Sequence, residues 1–258
     1  LHGYRLVFTD VWPVRYLPAS GQVDYAESVT VTVYASPART VVPGRLRPRG
    51  IGQDEKDVRD LIDNDEALDV SSEANTDTPT AEDRQYLLIT TAALQASFGP
   101  LLQHRASSAG GGFTVYSTTV EAIAATQAGR DLPEKIRTFI KNNYTTHGTR
   151  YVVLGGDADG PQAEQAVPTR GCPGTCGSYT DSYIPTDYYY ACLDGTWDNN
   201  GNDIFGESTD GVGGFDIDWL AEVAVGRIPA DTTDEVQRAI TKIIAYETSP
   251  TPFRTLMV

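Results

Sequence analysis

Tyr86-Leu87-Leu88-Ile89-Thr90, Tyr151-Val152-Val153-Leu154 and Glu222-Val223-Ala224-Val225-Gly226 are apolar almost without a break. A strand with no polar side cannot turn a face to water, so it must be covered above and below, as in a parallel sheet flanked by helices. The stretches between agree. Leu94–His104 and Leu132–Asn142 carry helical spacing, the latter opened by Asp131 as N-cap and Pro133 in the first turn. Gly112–Tyr116 reads as a further strand, and Thr233–Glu247 as a third long helix with Val236, Ile240, Ile243 and Ile244 on one side. The predicted class is therefore α/β, with a mainly parallel sheet and flanking helices over 84–258.

The N-terminal part follows another rule. Tyr4–Asp10 reads as a strand, Pro18–Gln22 as a turn, and Ser28–Ala35 alternates Val with Thr and Tyr at period two, so 1–50 is read as a β-rich segment. Between 51 and 83 lies an acidic stretch in which Val58, Leu61, Ile62 and Leu68 keep roughly helical spacing. After it, Ser71–Glu82 lacks the apolar residues needed to order itself. Leu1-His2-Gly3-Tyr4 is neither a methionine start nor a signal peptide, and Phe253–Val258 reads as the opening of another strand. A piece of a longer precursor is expected.

Lys and Arg total 20 against 35 Asp and Glu, a formal charge of -15, which excludes a phosphate backbone or an anionic membrane as the natural partner. No apolar run is long enough to span a bilayer. Few lysines beside many Tyr, Gly, Asn, Ser and Thr give the chain an exported character, secreted or at the cell surface.

One long irregular insertion, 155–219, separates the third and fourth strands of the sheet. A loop at the carboxyl edge of a parallel sheet is where binding chemistry collects. It holds all three cysteines, Cys172, Cys176 and Cys192. A Cys-Pro-Gly-Thr-Cys spacing favours a disulfide staple, whereas zinc would need a fourth ligand and His2, His104 and His147 all lie outside the loop. The same insertion carries Asp194, Asp198, Asn200, Asn202, Asp203 and Glu207, hard oxygen donors at close spacing with glycines between, which suits calcium. It is not an EF-hand, since glycine falls at position four and no glutamate stands at position twelve. A solvated Asn/Gly turn is the alternative.

Other features invite chemistry and are better read as structure. His147-Gly148 precedes the strand at Tyr151 and so lies at the amino edge, away from catalytic positions. Cys192 has no base that sequence can place beside it. Gly155-Gly156-Asp157-Ala158-Asp159-Gly160 lacks phosphate-loop spacing and carries two acids, so it reads as a tight strand-exit turn. Asn143-Tyr144-Thr145 is a formal glycosylation sequon.

Taken in order, Tyr86–Thr90, Thr149–Asp159, Ile184-Pro-Thr-Asp187-Tyr-Tyr, Leu193–Asp198, Ala224-Val-Gly-Arg-Ile-Pro229 and Lys242–Glu247 resemble the gingipain-like cysteine peptidases. Gly3–Tyr16 and Val29–Tyr34 resemble the end of that family's β-rich pro-region. The resemblance implies a caspase-like fold of two subdomains, secretion, bound calcium and peptide hydrolysis by a histidine–cysteine dyad. That dyad belongs to the second subdomain, beyond the strand and helix matched by Val225–Arg227 and Tyr246-Glu247. No residue here matches it, so no catalytic residue is assigned. The expected role is the scaffolding portion of such a peptidase, partnered by a C-terminal catalytic half. A self-assembling surface or filament protein made of copies of this chain, and a calcium-dependent peptide or glycan module using Tyr188, Tyr189 and Tyr190, are the alternatives.

Overall fold

The computed structural model describes residues 9–32, 56, 58–64, 83–161, 165–211, 216–217 and 220–249. The chain divides into two units, one comprising 4–43 and the other the remainder. In the smaller unit β1 (Val14–Leu17) and β2 (Gln22–Tyr25) form an antiparallel hairpin. The predicted turn closes it. The amides of Ser20 and Gly21 both donate to the Leu17 carbonyl, and Gly21 takes a φ of 68°, which a side chain would resist. Val14 stands opposite Tyr25 and Tyr16 opposite Val23, so these four share one face.

The β pattern at Ser28–Ala35 does not become a strand where it is described. Residues 28–32 are irregular, with Val29 and Val31 exposed. Alternation says which side chains would share a face, but a strand also needs a ladder partner, and β2 pairs with β1. Thr9 and Asp10 are irregular as well, and the rest of the Tyr4–Asp10 run lies outside the described residues. In the acidic stretch Lys56, Val58 and Arg59 are helical and Val58 is fully buried; Ser71–Glu82 lies outside the described residues.

The larger unit holds the predicted parallel sheet. Its strands are β3 (Tyr86–Thr90), β4 (Val115–Thr119), β5 (Tyr151–Gly155) and β8 (Ala224–Ile228), in the order β4-β3-β5-β8 and all parallel. The helices are α1 (Gly99–Ala106), α2 (Val120–Thr126), α3 (Leu132–His147) and α4 (Thr233–Thr248). β6 (Arg170–Cys176) and β7 (Tyr179–Thr186) form a separate antiparallel pair inside the insertion.

Local chemistry sets the ends of these elements. Asp131 accepts from the Glu134 amide at 2.9 Å to start α3, and Gly148 ends it in the left-handed region at φ 64°. Thr232 and Glu235 form a reciprocal capping box at the start of α4. The first crossover begins as a 3-10 turn, Gln95–Phe98, and becomes α-helical at Gly99 with Pro100 in its first turn. β4 lies three residues later than predicted because Gly111 and Gly112, both at positive φ, turn the chain first. β8 also starts late, since the backbone amides of Glu222 and Val223 both donate to the Ala191 carbonyl, and the ladder opens only with Ala224 donating to Arg150.

Period two assigns the strand residues to two layers. Leu87, Ile89, Val152 and Leu154 pack with Val120 and Ile123 of α2 and with Ile136, Ile140 and Tyr144 of α3. Leu88 faces the other way, onto Leu94, Phe98, Leu101, Val236 and Ile240. The chain passes from β3 by α1 to β4 on one side, then returns by α2 and α3 to β5 on the other. The order thus reverses between β3 and β5, where crevices form at the carboxyl ends of strands. Ile140 is fully buried at the centre of the α3 contact. Ile140→Ala is expected to lower the unfolding free energy by about 2–5 kcal/mol in urea titration.

Candidate functional site

The insertion after β5 stands where a crossover helix would otherwise cover β5 and β8. Its Val167, Tyr189, Tyr190, Cys192, Leu193 and Trp197 are buried in the same cluster as α3. It is also less irregular than predicted, because β6 and β7 make a hairpin of it. That hairpin rules out one of the pairings the three cysteines left open, Cys172 with Cys176. With Cys172 and Cys176 on one strand, four residues of extended chain separate them by about 13 Å, whereas a bridge needs Cα atoms within about 7 Å. No disulfide joins the three thiols among the described residues: Cys172 is half-buried, Cys176 exposed and Cys192 buried. Burial pushes the Cys172 thiol up to about 11.

A buried arginine of α3 holds the segment after Tyr190. Arg137 donates to the carbonyls of Cys192 at 2.9 Å, Asp194 at 2.9 Å and Gly195 at 3.3 Å, and its guanidinium lies 5.0 Å from the Tyr189 ring centre. Loss of water around it lowers its pKa. Two acids that sequence reasoning missed then fold the turn. Asp216 Oδ2 accepts from the amides of Thr196 at 2.9 Å and Trp197 at 2.7 Å. Asp210, fully buried, accepts from Asn199 at 2.9 Å and from Gly206 and Glu207 at 3.1 Å each. Nothing in the sequence separated these two from the other acids of the insertion.

The predicted metal ligands fall into distinct groups. Asp198 Oδ1 accepts from the Asn202 amide at 2.9 Å, and Oδ2 from the Asp203 amide at 3.2 Å and from Arg130 Nη1. Arg130 Nη1 also reaches Asp203 Oδ1 at 2.8 Å. Glu207 Oε1 gathers Asn200 Nδ2 at 2.7 Å, Asn202 Nδ2 at 2.8 Å and Thr209 Oγ1 at 2.5 Å. Asn200 and Asn202 turn their own oxygens to the amides of Asn202 at 3.1 Å and Ile204 at 2.9 Å. Asp194 stands apart, its carbonyl taken by Arg137. Among the described residues, no three of the carboxylates of Asp194, Asp198, Asp203 and Glu207 meet within the 4.8 Å at which groups share an ion.

The turn is docked on the start of α3 by an aromatic ring between two guanidiniums. Phe205 has Arg170 at 3.7 Å and Arg130 at 4.8 Å from its ring centre. Arg170 grips Asp131, the N-cap of α3, through two bonds of 2.7 and 2.8 Å. Burial pushes the Asp198 carboxyl up, but the bonds from Arg130 and two backbone amides outweigh this and leave it below its ordinary value. The hydroxyl of Thr209, then the Asn200 and Asn202 amides, lower Glu207.

At the sheet edge itself the Gly155–Gly160 segment is a strand-exit turn, with Gly156 donating to Ile228 at 3.0 Å and Asp157 to Ala230 at 3.2 Å. Arg227 ties three segments together there, holding Asp187 at 2.6 and 2.8 Å and the carbonyls of Gly156 at 2.8 Å and Val167 at 2.7 Å. Beside it Asp157, Asp159 and Asp231 place carboxylate oxygens within 4.8 Å of one another, a grouping the sequence did not suggest. Asp231 is raised by burial and then by the charges of Asp157, Asp159 and Glu235.

His147 ends α3, where its carbonyl accepts from the Arg84 amide at the amino edge. His104 bonds Glu247 at 2.7 Å on the opposite layer. Asn143 is buried and its amide donates to Phe139 at 2.8 Å, which leaves the sequon without a role in the folded chain. No helix among the described residues is long and apolar enough to cross a membrane.

An α/β sheet with its strand order reversed between neighbours and an elaborated insertion at the carboxyl edge defines the structural class. The chain belongs to peptidase family C25, whose model matches residues 79–257, and the resemblance to gingipain-like peptidases is borne out at the level of the family. No curated protein matches the chain. Among solved structures it is similar to RgpB of Porphyromonas gingivalis, in a complex of its pro- and mature domains, at 17% identity and a TM-score of 0.40, over 63% of this chain and 29% of that one. It is also similar to dimeric latent PorU from the same organism at 20% identity and a TM-score of 0.44, over 63% of this chain and 15% of that one. The chain thus covers less than a third of either neighbour's length.

Gly195 holds a φ of 64°, and a Cβ there would lie 2.0 Å from the Asp216 carbonyl oxygen. Gly195→Ala is expected to cost about 1–3 kcal/mol, read as a lower thermal midpoint. The lowered carboxyls set an acid limb. Asp198 and Glu207 add stability that is complete above their ordinary values of 3.8 and 4.5 and is lost as pH falls through their depressed folded values. Thermal midpoints should therefore drop below about pH 4, and Asp198→Asn should flatten that drop.

Proposed function

We propose that this chain is a scaffolding, non-catalytic portion of a secreted C25 cysteine peptidase, with calcium stabilising the Asp194–Glu207 turn. The observation that carries the reading is the setting of the thiols and imidazoles. A nucleophilic cysteine needs a lowered pKa and a base in reach. Cys172 is shifted the other way, Cys192 is packed in the core, and Cys176 sits at the end of β6 opposite Tyr179. His104 is engaged by Glu247 and His147 lies at the amino edge, while His2 lies outside the described residues. The chemistry belongs instead to a separate part of the peptidase, positioned by this sheet.

The donor chemistry of the turn fits calcium. Asp198, Asn200, Asn202, Asp203 and Glu207 offer oxygen donors of the kind calcium takes, and to converge on an ion they would have to leave their present partners, Arg130 on Asp198 and Asp203 and the Asn200 and Asn202 amides on Glu207. Those residues would hold the ion, which would supply charge neutralisation and rigidity.

Incubating the purified chain with a mixed peptide library is expected to give no cleavage, with iodoacetamide labelling Cys176 first. Peptidase activity abolished by Cys192→Ser would overturn the scaffolding role. A second reading, self-assembly, rests on the terminal place of β8 in the four-strand order. Sedimentation at micromolar concentration separates the two, a concentration-dependent oligomer favouring assembly and a monomer the scaffold.

A further inference from the structure

We propose that β8 and the adjoining face of β5 are the seat of the separate catalytic part of the peptidase, which continues the sheet beyond β8 with an extended, apolar segment. The inference rests on the scaffolding reading above and names the surface that does the positioning.

The strands of the sheet are not covered equally. On the side of α1 and α4, register sets Ala224 beside Tyr151, Gly226 beside Val153 and Ile228 beside Gly155. At the carboxyl end this row is closed: a Cβ on Gly155 would lie 2.5 Å from the Phe98 ring, and Ile228 packs against the cluster of Phe98, Val236 and Ile240. Toward the amino end it is open. Ala224 and Gly226 are exposed, and a Cβ on Gly226 would meet nothing within 4 Å. Tyr151 is 38% exposed, and Val153 and Ile243 are only partly buried. The cause is the path of α4. It starts after β8 but ends against α1, where Glu247 binds His104 at 2.7 Å and Arg105 at 2.7 and 2.9 Å. Arg105 in turn lies over Tyr86 of β3, so α4 slants away from the amino half of the strand it follows.

The edge is open in the same place. β8 is terminal in the strand order. Its bonds to β5 run from the Ala224 amide on the Arg150 carbonyl to the Gly156 amide on the Ile228 carbonyl. Alternate residues serve a parallel ladder, so the amides and carbonyls of Val225 and Arg227 point outward. A terminal strand that stays bare is normally blunted by charge or proline. The one charged side chain of Ala224–Ile228, Arg227, is committed instead to Asp187 and the carbonyls of Gly156 and Val167.

Charge selects the occupant. Asp and Glu outnumber Lys and Arg by 35 to 20, yet the open row of Tyr151, Val153, Ala224 and Gly226 carries no acid. Tyr246, 57% exposed, lies one turn beyond Ile243; Lys242 stands one turn before it, and Glu247 is drawn away to α1. A second copy of this chain would bring a formal charge of -15 against the same charge. An apolar segment of another part of the peptidase, with a carboxylate to face Lys242, meets no such repulsion.

The test places one reporter on the open row, Ala224→Cys, and one on the exposed side of α3 in the opposite layer, Asn142→Cys. Both are made in this chain and in the longer peptidase that the scaffolding reading requires, and iodoacetamide labelling is timed site by site by mass spectrometry. The thiol of Ala224→Cys should react at least tenfold more slowly in the longer peptidase than in this chain alone, while that of Asn142→Cys reacts alike in both. Equal rates for Ala224→Cys, or protection at Asn142→Cys instead, would overturn the assignment and leave the scaffolding reading standing. Protection that appears in this chain alone as its concentration rises would give the edge to a second copy and overturn it as well. Hydrolysis of a peptide library by this chain alone would remove the scaffolding reading itself. Gly226→Arg adds a readout independent of labelling. Its side chain enters open space, so the thermal midpoint of this chain should be unchanged while the activity of the longer peptidase falls at least tenfold. Activity kept in that variant would count against the proposal; if the midpoint falls too, the Ala224→Cys rates decide.

Discussion

Both faces of β3 are buried from Tyr86 to Thr90, and the rest of the larger unit is arranged around that requirement. Leu87 and Ile89 demand one cover and Leu88 another. Amphipathic helices answer most of this demand at little cost, because a helix satisfies its own backbone. The exception lies between β5 and β8, where the cover is a glycine-rich, polar insertion. Tyr189, Tyr190, Leu193 and Trp197 supply its apolar surface, but the backbone carrying them has carbonyls and amides that must be paired by other means.

Arginines and aspartates do that pairing. Arg137 collects three consecutive-region carbonyls, Arg227 joins Asp187 to two further carbonyls, and Arg170 locks the helix cap while covering Phe205. A planar guanidinium with several donors suits this work, since one side chain can satisfy acceptors from several segments. Asp210 and Asp216 perform the converse task for amides. The insertion is thus a hydrogen-bonded wall of the carboxyl edge.

Much of the fold was legible because burial and periodicity are local signals. The runs at Tyr86, Tyr151 and Val223, the Asp131 cap and the helical spacing from Leu132 to Asn142 all appear in the sequence as they act in the structure. Misplacements arose where a neighbour overrode the pattern: the glycines before β4, the Ala191 carbonyl that takes the backbone amides of Glu222 and Val223 before β8, and the irregular backbone of the Val29–Val31 alternation in its described part. A bridge between Cys172 and Cys176, one of the pairings left open, does not fit for a related reason. The spacing assumes a loop, and pairing of β6 with β7 extends it.

What the sequence determined by itself is the parallel sheet, the helices that cover it, the family, and the presence of an acidic turn after Tyr190. These follow from residue type and spacing along a few turns or one strand. Tertiary structure alone decided that Arg130 meets Asp198, that Asp210 and Asp216 fold the turn, and that Asp157, Asp159 and Asp231 converge. Arg130 and Asp198 are brought together only when α3 and the insertion pack on one face of the sheet. Charge pairing at such separations depends on the three-dimensional path of the chain, and periodicity carries no record of it.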